Sequence, residues 1–154
     1  MPLYLDRIGQ IALLPALFAP VYVPEQVCLE LDMGRVLRLD TINPRSLAWV
    51  ELVSVSQALI DSLPPNRLGT GERAVIAYAQ AYRGYVAGMD DLRARQLAEA
   101  IGLRVIGTLG ILLRAKQAGL VSTVRPLLDD ITAKGFHLSP DLHRNVLGLA
   151  GETP

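Results

Sequence analysis

Apolar positions near the start of the chain, Leu3, Leu5, Ile8, Ile11, Leu14 and Leu17 with Leu13 on the flank, follow a helical period. They predict a helix over 3–17 with one buried face, open to a break near Gly9. Val21-Tyr22-Val23 is short, β-branched or aromatic, and bracketed by Pro20 and Pro24, the pattern of a brief buried strand. A helix is expected from Pro24, a residue suited to a first turn, with Val27, Cys28 and Leu31 turned inward and an end at Gly34. Residues 47–53 read as a strand, although Ala48 and Glu51 leave a helical turn open, and 56–63 reads as a short helix. Pro64-Pro65-Asn66 forms a turn. Beyond it the pattern predicts helices at 71–83, 91–101, 109–118, 122–134 and 140–150, with strands at 85–89 and 103–107.

Helix and strand alternate through the middle third, which is the rhythm of a parallel sheet with crossover helices. The expected class is therefore α/β. In open sheets of this kind ligands bind beyond the carboxyl ends of the strands, at the N-termini of the helices that follow. No internal repeat or low-complexity tract is present.

Composition narrows the reading. With 154 residues, 51% hydrophobic and 19% charged, the chain suits one domain over 1–154 and is too apolar for disorder. Fifteen basic residues balance fifteen acidic ones, so no global charge draws it to a polyanion. Locally, Arg93, Arg95, Arg104, Arg114, Lys116 and Arg125 face only Glu99 as counter-charge between residues 92 and 125, which is either a phosphate-tracking patch or a set of solvated helix faces. The apolar stretch Ile11–Val23 is interrupted by Pro15 and Pro20 and falls short of the roughly 20 residues of a spanning helix. The start of the chain offers Asp6 before Arg7 rather than a basic cluster, and no small-residue cleavage site follows a clean apolar run, so no membrane segment is expected and the location read from the chain is cytoplasmic.

Candidate chemistry lies in the acidic residues. Gly69-Thr70-Gly71-Glu72 precedes an apolar helix, Asp90-Asp91 stands where a strand becomes a helix, and Glu30 lies in the helix after the first strand. Carboxylates converging on one cleft repel each other and stay ionised together only with a cation. Mg²⁺ or Mn²⁺ meets that need, taking oxygen ligands and activating water beside a phosphodiester. Taken singly, the same residues have a simpler use: Asp90 or Asp91 as a helix N-cap, and Glu72 as a first-turn acid favoured by the helix dipole.

Several stretches, Pro2-Leu3-Tyr4-Leu5, Leu13–Phe18, Val23-Pro24-Glu25-Gln26-Val27, Leu68–Ala77, Asp90–Arg95 and Gly107–Lys116, together resemble a PIN-domain branch of uncharacterised prokaryotic proteins. The resemblance implies a PIN-like three-layer α/β fold with a short central parallel sheet flanked by helices. It also implies Mg²⁺- or Mn²⁺-dependent cleavage of single-stranded RNA, as in the toxins of toxin–antitoxin pairs. Of the family's four acidic positions it places Glu30 on the second, Glu72 on the third and Asp91, with Asp90 beside it, on the fourth. These are the expected metal ligands, and Glu30, Glu72 and Asp91 the expected catalytic set. In the family the first position is the Asp of an Asp-Thr-Ser that closes the N-terminal central strand directly before the Pro-Leu; here Met1 stands where that Ser would be, so that strand and its Asp are expected to be missing from the chain as given. The expected partners are single-stranded RNA, an antitoxin protein and further copies of the chain; the alternative is a catalytically degenerate PIN-like binding or assembly module.

The remaining candidates are weaker. His137 and His143 lack the spacing of a metal motif, Cys28 reads as a packed core thiol, and Gly69 with Gly71 are too few for a nucleotide-binding loop. Thr108 either caps a helix or contacts phosphate. Trp49 and the five tyrosines look scattered, with no stripe on which bases would stack.

Overall fold

Turn chemistry and apolar periodicity set the element order. Helices α1 (Tyr4–Arg7) and α2 (Leu13–Leu17) are followed by strand β1 (Val21–Pro24), helix α3 (Glu25–Leu37), a 3-10 turn at Pro44–Ser46 and strand β2 (Val50–Val53). Helices α4 (Gln57–Asp61) and α5 (Thr70–Ala81), strand β3 (Val86–Gly88), helix α6 (Leu92–Ala100) and strand β4 (Arg104–Ile106) come next. Helices α7 (Thr108–Gln117), α8 (Arg125–Ala133) and α9 (Pro140–Leu149) complete the order. The computed structural model describes residues 2–37 and 41–153. They fall into two units, one running Pro20–Ile106 and the other joining Pro2–Ala19 to the chain from Gly107 onward.

The first unit is mixed α/β. β1 pairs in parallel with β2, in the register Val21↔Val50 to Pro24↔Val53, and β3 pairs in parallel with β4 from Val86↔Arg104 to Gly88↔Ile106. The expected short parallel sheet flanked by helices is present among the described residues as two two-stranded ladders. Crossovers α3 and α6 link the strands of each pair, as parallel pairing requires. Between the ladders in sequence runs α5, which packs on β1, β3, α3, α4 and α6.

A small-residue core explains how so many elements approach one helix. Ala74, Ala77, Ala79, Ala87, Ala94 and Ala98 are buried with Ile60, Ile76 and Met89 in one cluster. Alanine gives up little side-chain entropy on burial and keeps helix axes close. Gln26, at the start of α3, donates Nε2 to the Val55 carbonyl at 2.8 Å and so ties the end of β1 to the end of β2.

The second unit is helical. α2 and α9 pack on α7, and α1 packs on α8, where the Tyr4 and Phe136 rings meet edge-on at 4.9 Å. The Glu152 carboxylate holds the unit's C-terminal end. It accepts from the backbone N–H groups of Val124 and Arg125 at the start of α8, and from Lys116 Nζ of α7 at 2.7 Å. These donors pull its carboxyl down to about 2, with the Lys116 hydrogen bond the largest cause.

The break left open near Gly9 is present: the first helix is two short ones, with Gly9 at φ +68° between them, a conformation glycine adopts without a steric penalty. Two expectations need correction. α3 does not stop at Gly34 but runs on to Leu37. The tyrosines are not scattered: Tyr22 of β1, Tyr78 and Tyr82 one turn apart on α5, and Tyr85 just before β3 form one cluster, with Tyr22 and Tyr85 rings 5.2 Å apart. A hydrogen bond with Tyr85 is the main reason the Tyr22 hydroxyl is pushed up to about 12.

The Glu152 latch has a testable acid dependence. Its folded-state value lies below its ordinary 4.5, so its contribution is complete above that value and is lost as pH falls towards about 2. Glu152→Gln is expected to lower the melting temperature at pH 7 and to remove that part of the acid-induced loss of stability. Circular-dichroism melts of both proteins at a series of pH values check it; coincident melting curves at pH 7 would disprove the latch.

Candidate active site

The four acidic candidates all lie in the first unit. Glu30 is carried by α3 and reaches the N-terminal turn of α5, where Oε1 accepts the Gly71 N–H at 2.9 Å. Glu72 sits one residue further on, in the first turn of α5, and turns back so that Oε2 accepts the Gly69 N–H at 3.2 Å. Two carboxylates thus share the first turn of one helix, where unpaired N–H groups and the dipole favour negative charge. Asp91 is the N-cap of α6, its Oδ1 accepting the Ala94 N–H at 2.9 Å. The capping use read from the sequence is present for Asp91 and Glu72, and the second oxygen of each side chain is not consumed by it. Asp90, half-buried beside Asp91, also has an interaction partner.

The charges are felt across the site. Burial raises the Glu72 carboxyl above its ordinary 4.5, and the negative charges of Asp91 and, more weakly, Glu30 add to the rise, with the Gly69 N–H opposing it. Glu72 is therefore the group at which the acidic residues meet electrostatically. Even so, no three His, Cys, Asp or Glu side chains among the described residues stand close enough together to hold a metal ion by themselves. The donor set is nonetheless of the hard-oxygen type that suits Mg²⁺ or Mn²⁺, which keep several of their waters and need only one or two direct carboxylates.

Sequence reading missed the two glycines. A Cβ on Gly71 would lie 2.5 Å from Glu30 Oε2 and 3.3 Å from the Val27 Cα, and one on Gly69 would lie 3.0 Å from Glu30 Oε1. Gly69 and Gly71 are clearance for the Glu30 carboxylate rather than parts of a phosphate loop. The available signal was their spacing, two residues apart and directly before an acid at a helix start.

Other candidates fall away or change role. Thr108 is fully buried in the first turn of α7, behind Gly107 as N-cap, so it neither caps nor presents a hydroxyl to a ligand. His143 lies 3.5 Å from Asp129 on the helical unit, and Cys28 is buried. The basic stretch is partly spent on structure: Arg104 donates to the Gly84 carbonyl at 2.6 Å, the Arg114 guanidinium lies over the Phe18 ring at 5.5 Å, Lys116 pairs with Glu152, and Arg125 donates to the Thr153 carbonyl. Arg93 and Arg95 follow Asp91 in the first turn of α6.

A family model described as a PIN domain, DUF3368, matches residues 2–152. No curated protein and no solved structure matches the chain. No helix among the described residues is long and apolar enough to cross a membrane.

Two stability measurements test this geometry. Gly71→Ala is expected to cost about 1–2 kcal/mol by overpacking, and much of that cost should vanish in a Glu30→Ala background, where no carboxylate meets the new methyl group. Strict additivity in urea unfolding would reject the clearance role. Glu72 binds its proton more tightly folded than unfolded, so it adds stability as pH falls through its raised value and penalises the fold above it. Glu72→Gln keeps an acceptor for the Gly69 N–H and should melt no lower than the parent chain at pH 7, its advantage shrinking as pH falls towards 4.5. A lower melting temperature for Glu72→Gln at pH 7 would contradict this.

Proposed function

The chain belongs to the DUF3368 family of PIN domains, and from that premise we propose that it is a Mg²⁺- or Mn²⁺-dependent ribonuclease acting on single-stranded RNA. The family match spans both units, and we read them as parts of one domain. The observation that carries the reading is the Glu72 carboxyl, held above its ordinary range by burial and by the charges of Asp91 and Glu30. Relief of that repulsion by a cation is the physical reason for acids to be kept in such an arrangement.

In this reading Glu30, Glu72 and Asp91 hold the ion directly or through its waters, and Asp90 supports them. A bound divalent ion supplies charge neutralisation at the scissile phosphate and a water of lowered pKa. Glu30 and Glu72 are oriented by the first-turn N–H groups of α5, and Asp91 by the first turn of α6, so each presents its second oxygen from a fixed helix end. Arg93 and Arg95 contact the phosphates of the RNA strand. The proposed setting is that of a cytoplasmic toxin paired with an antitoxin protein, with self-association of the chain as a further part of the proposal.

A second reading keeps the fold and removes the catalysis. The absence of a ready three-ligand group among the described residues favours a binding or assembly module that takes metal weakly.

One experiment separates the two. The full chain is incubated with end-labelled single-stranded RNA, with and without Mn²⁺, beside Glu72→Ala and the exposed α6 variant Glu99→Ala. Expected are Mn²⁺-dependent cleavage, a loss of more than about tenfold in Glu72→Ala, the size seen when groups around a catalytic metal are disturbed, and none in Glu99→Ala. Cleavage that survives Glu72→Ala would overturn the site. No cleavage and no calorimetric signal at millimolar Mn²⁺ would leave the module.

A further inference from the structure

Helix α3 is apolar on two opposite sides. Val27, Cys28 and Leu31 are buried, while Leu29, Met33, Val36 and Leu37 are exposed to 58, 70, 80 and 86%. At about 100° per residue the exposed four form a continuous stripe centred opposite the buried three, with Glu30 on one flank and Asp32 on the other. A helix that is apolar on both sides is ordinarily covered on both. Scattered exposed leucines need no explanation, whereas four large apolar side chains in register along two turns do.

We propose that this stripe is the contact between two copies of the chain, formed by antiparallel pairing of α3 with α3 about a two-fold axis near Met33. This rests on the self-association proposed above and not on the nuclease chemistry. Two features favour a second copy over other occupants. The stripe offers roughly 500 Å² of apolar surface per copy, so an isologous contact buries on the order of 1,000 Å² in all, the threshold for a specific dimer. Charge along the helix is polarised, with Glu25 and Glu30 towards its start and Arg35 in its last turn, where Arg45 joins it through the shared partner Asp32. Antiparallel pairing opposes the two helix dipoles and sets Glu25 and Glu30 of each helix towards the Arg35–Asp32–Arg45 group of the other, whose two cations outnumber its one acid. Leu29 of each copy then faces Leu37 of the other, and Met33 faces Met33.

The test uses the full chain. Sedimentation equilibrium is expected to show a concentration-dependent dimer whose dissociation constant rises at least about tenfold in Met33→Lys, with an unchanged far-ultraviolet spectrum because Met33 is exposed. Met33→Cys is expected to form a covalent dimer under mild oxidation, because the pairing sets that position against itself; the equally exposed Leu149→Cys on α9 is not. A wild-type chain that stays monomeric at hundreds of micromolar would overturn self-association altogether. A dimer that persists in Met33→Lys and leaves Met33→Cys uncrosslinked would overturn the α3 contact alone. A stripe covered instead by a different protein, seen as protection of Met33→Cys from a thiol reagent only in a mixed complex with that protein, would also overturn it.

Discussion

The approach of α3 to the first turn of α5 is the constraint on which the acidic site depends. It is possible because positions 69 and 71 carry no side chain: a methyl group on Gly71 would sit 2.5 Å from Glu30 Oε2 and 3.3 Å from the α3 backbone at Val27. With that space open, the Glu30 carboxylate reaches a backbone N–H that the helix itself cannot satisfy. Glu72 lies on the same turn because it is the next residue, so one steric allowance brings two carboxylates, 42 residues apart in the chain, to a single helix end. The alanine-rich core around α5 extends the effect by drawing α6, and Asp91 at its start, towards the same helix.

Glu152 and Glu72 each accept backbone N–H groups at a helix start, yet their carboxyls shift in opposite directions. Glu152 is lowered to about 2 and Glu72 is raised. The helix end favours the anion in both places, so it does not decide the sign. What differs is company: Lys116 stands against Glu152, whereas Glu72 is partly desolvated and has Asp91 and Glu30 as its charged neighbours. Glu152 is a completed interaction, and its use is to hold the C-terminal end. Glu72 is an uncompleted one. A neutral Gln could make the same Gly69 contact, so the charge of Glu72 is not something the helix cap requires.

The alternation of elements was readable because it is written in short-range periodicity and in proline and glycine punctuation. Every long helix from α5 onward lies within a few residues of its expected span, and the short strands at 21–24, 86–88 and 104–106 fall where β-branched runs placed them. Features that depend on distant residues meeting were not readable. The tyrosine cluster joins β1, α5 and the turn before β3, and spacing along the chain carries no information about it. The role of Gly71 depends on a side chain from another helix. α3 passes Gly34 because a glycine lowers helix propensity by only about 1 kcal/mol, which tertiary contacts override. Glu30, Glu72 and Asp91 could be named from the family resemblance, but the hydrogen bonds that orient them required coordinates.

Helix α3 concentrates these themes on one cylinder. Its buried side secures the first unit through Val27, Cys28 and Leu31; one flank delivers Glu30 to α5; the far side carries Leu29, Met33, Val36 and Leu37 into solvent. Fold stability accounts for the first side alone. An isolated helix gains nothing from exposing four large apolar groups, and polar residues there would improve solubility without touching the core. Glu30 and the stripe lie on adjoining sides of a helix whose register is locked by its buried face. One helix register therefore fixes both where Glu30 meets α5 and which four apolar side chains face outward.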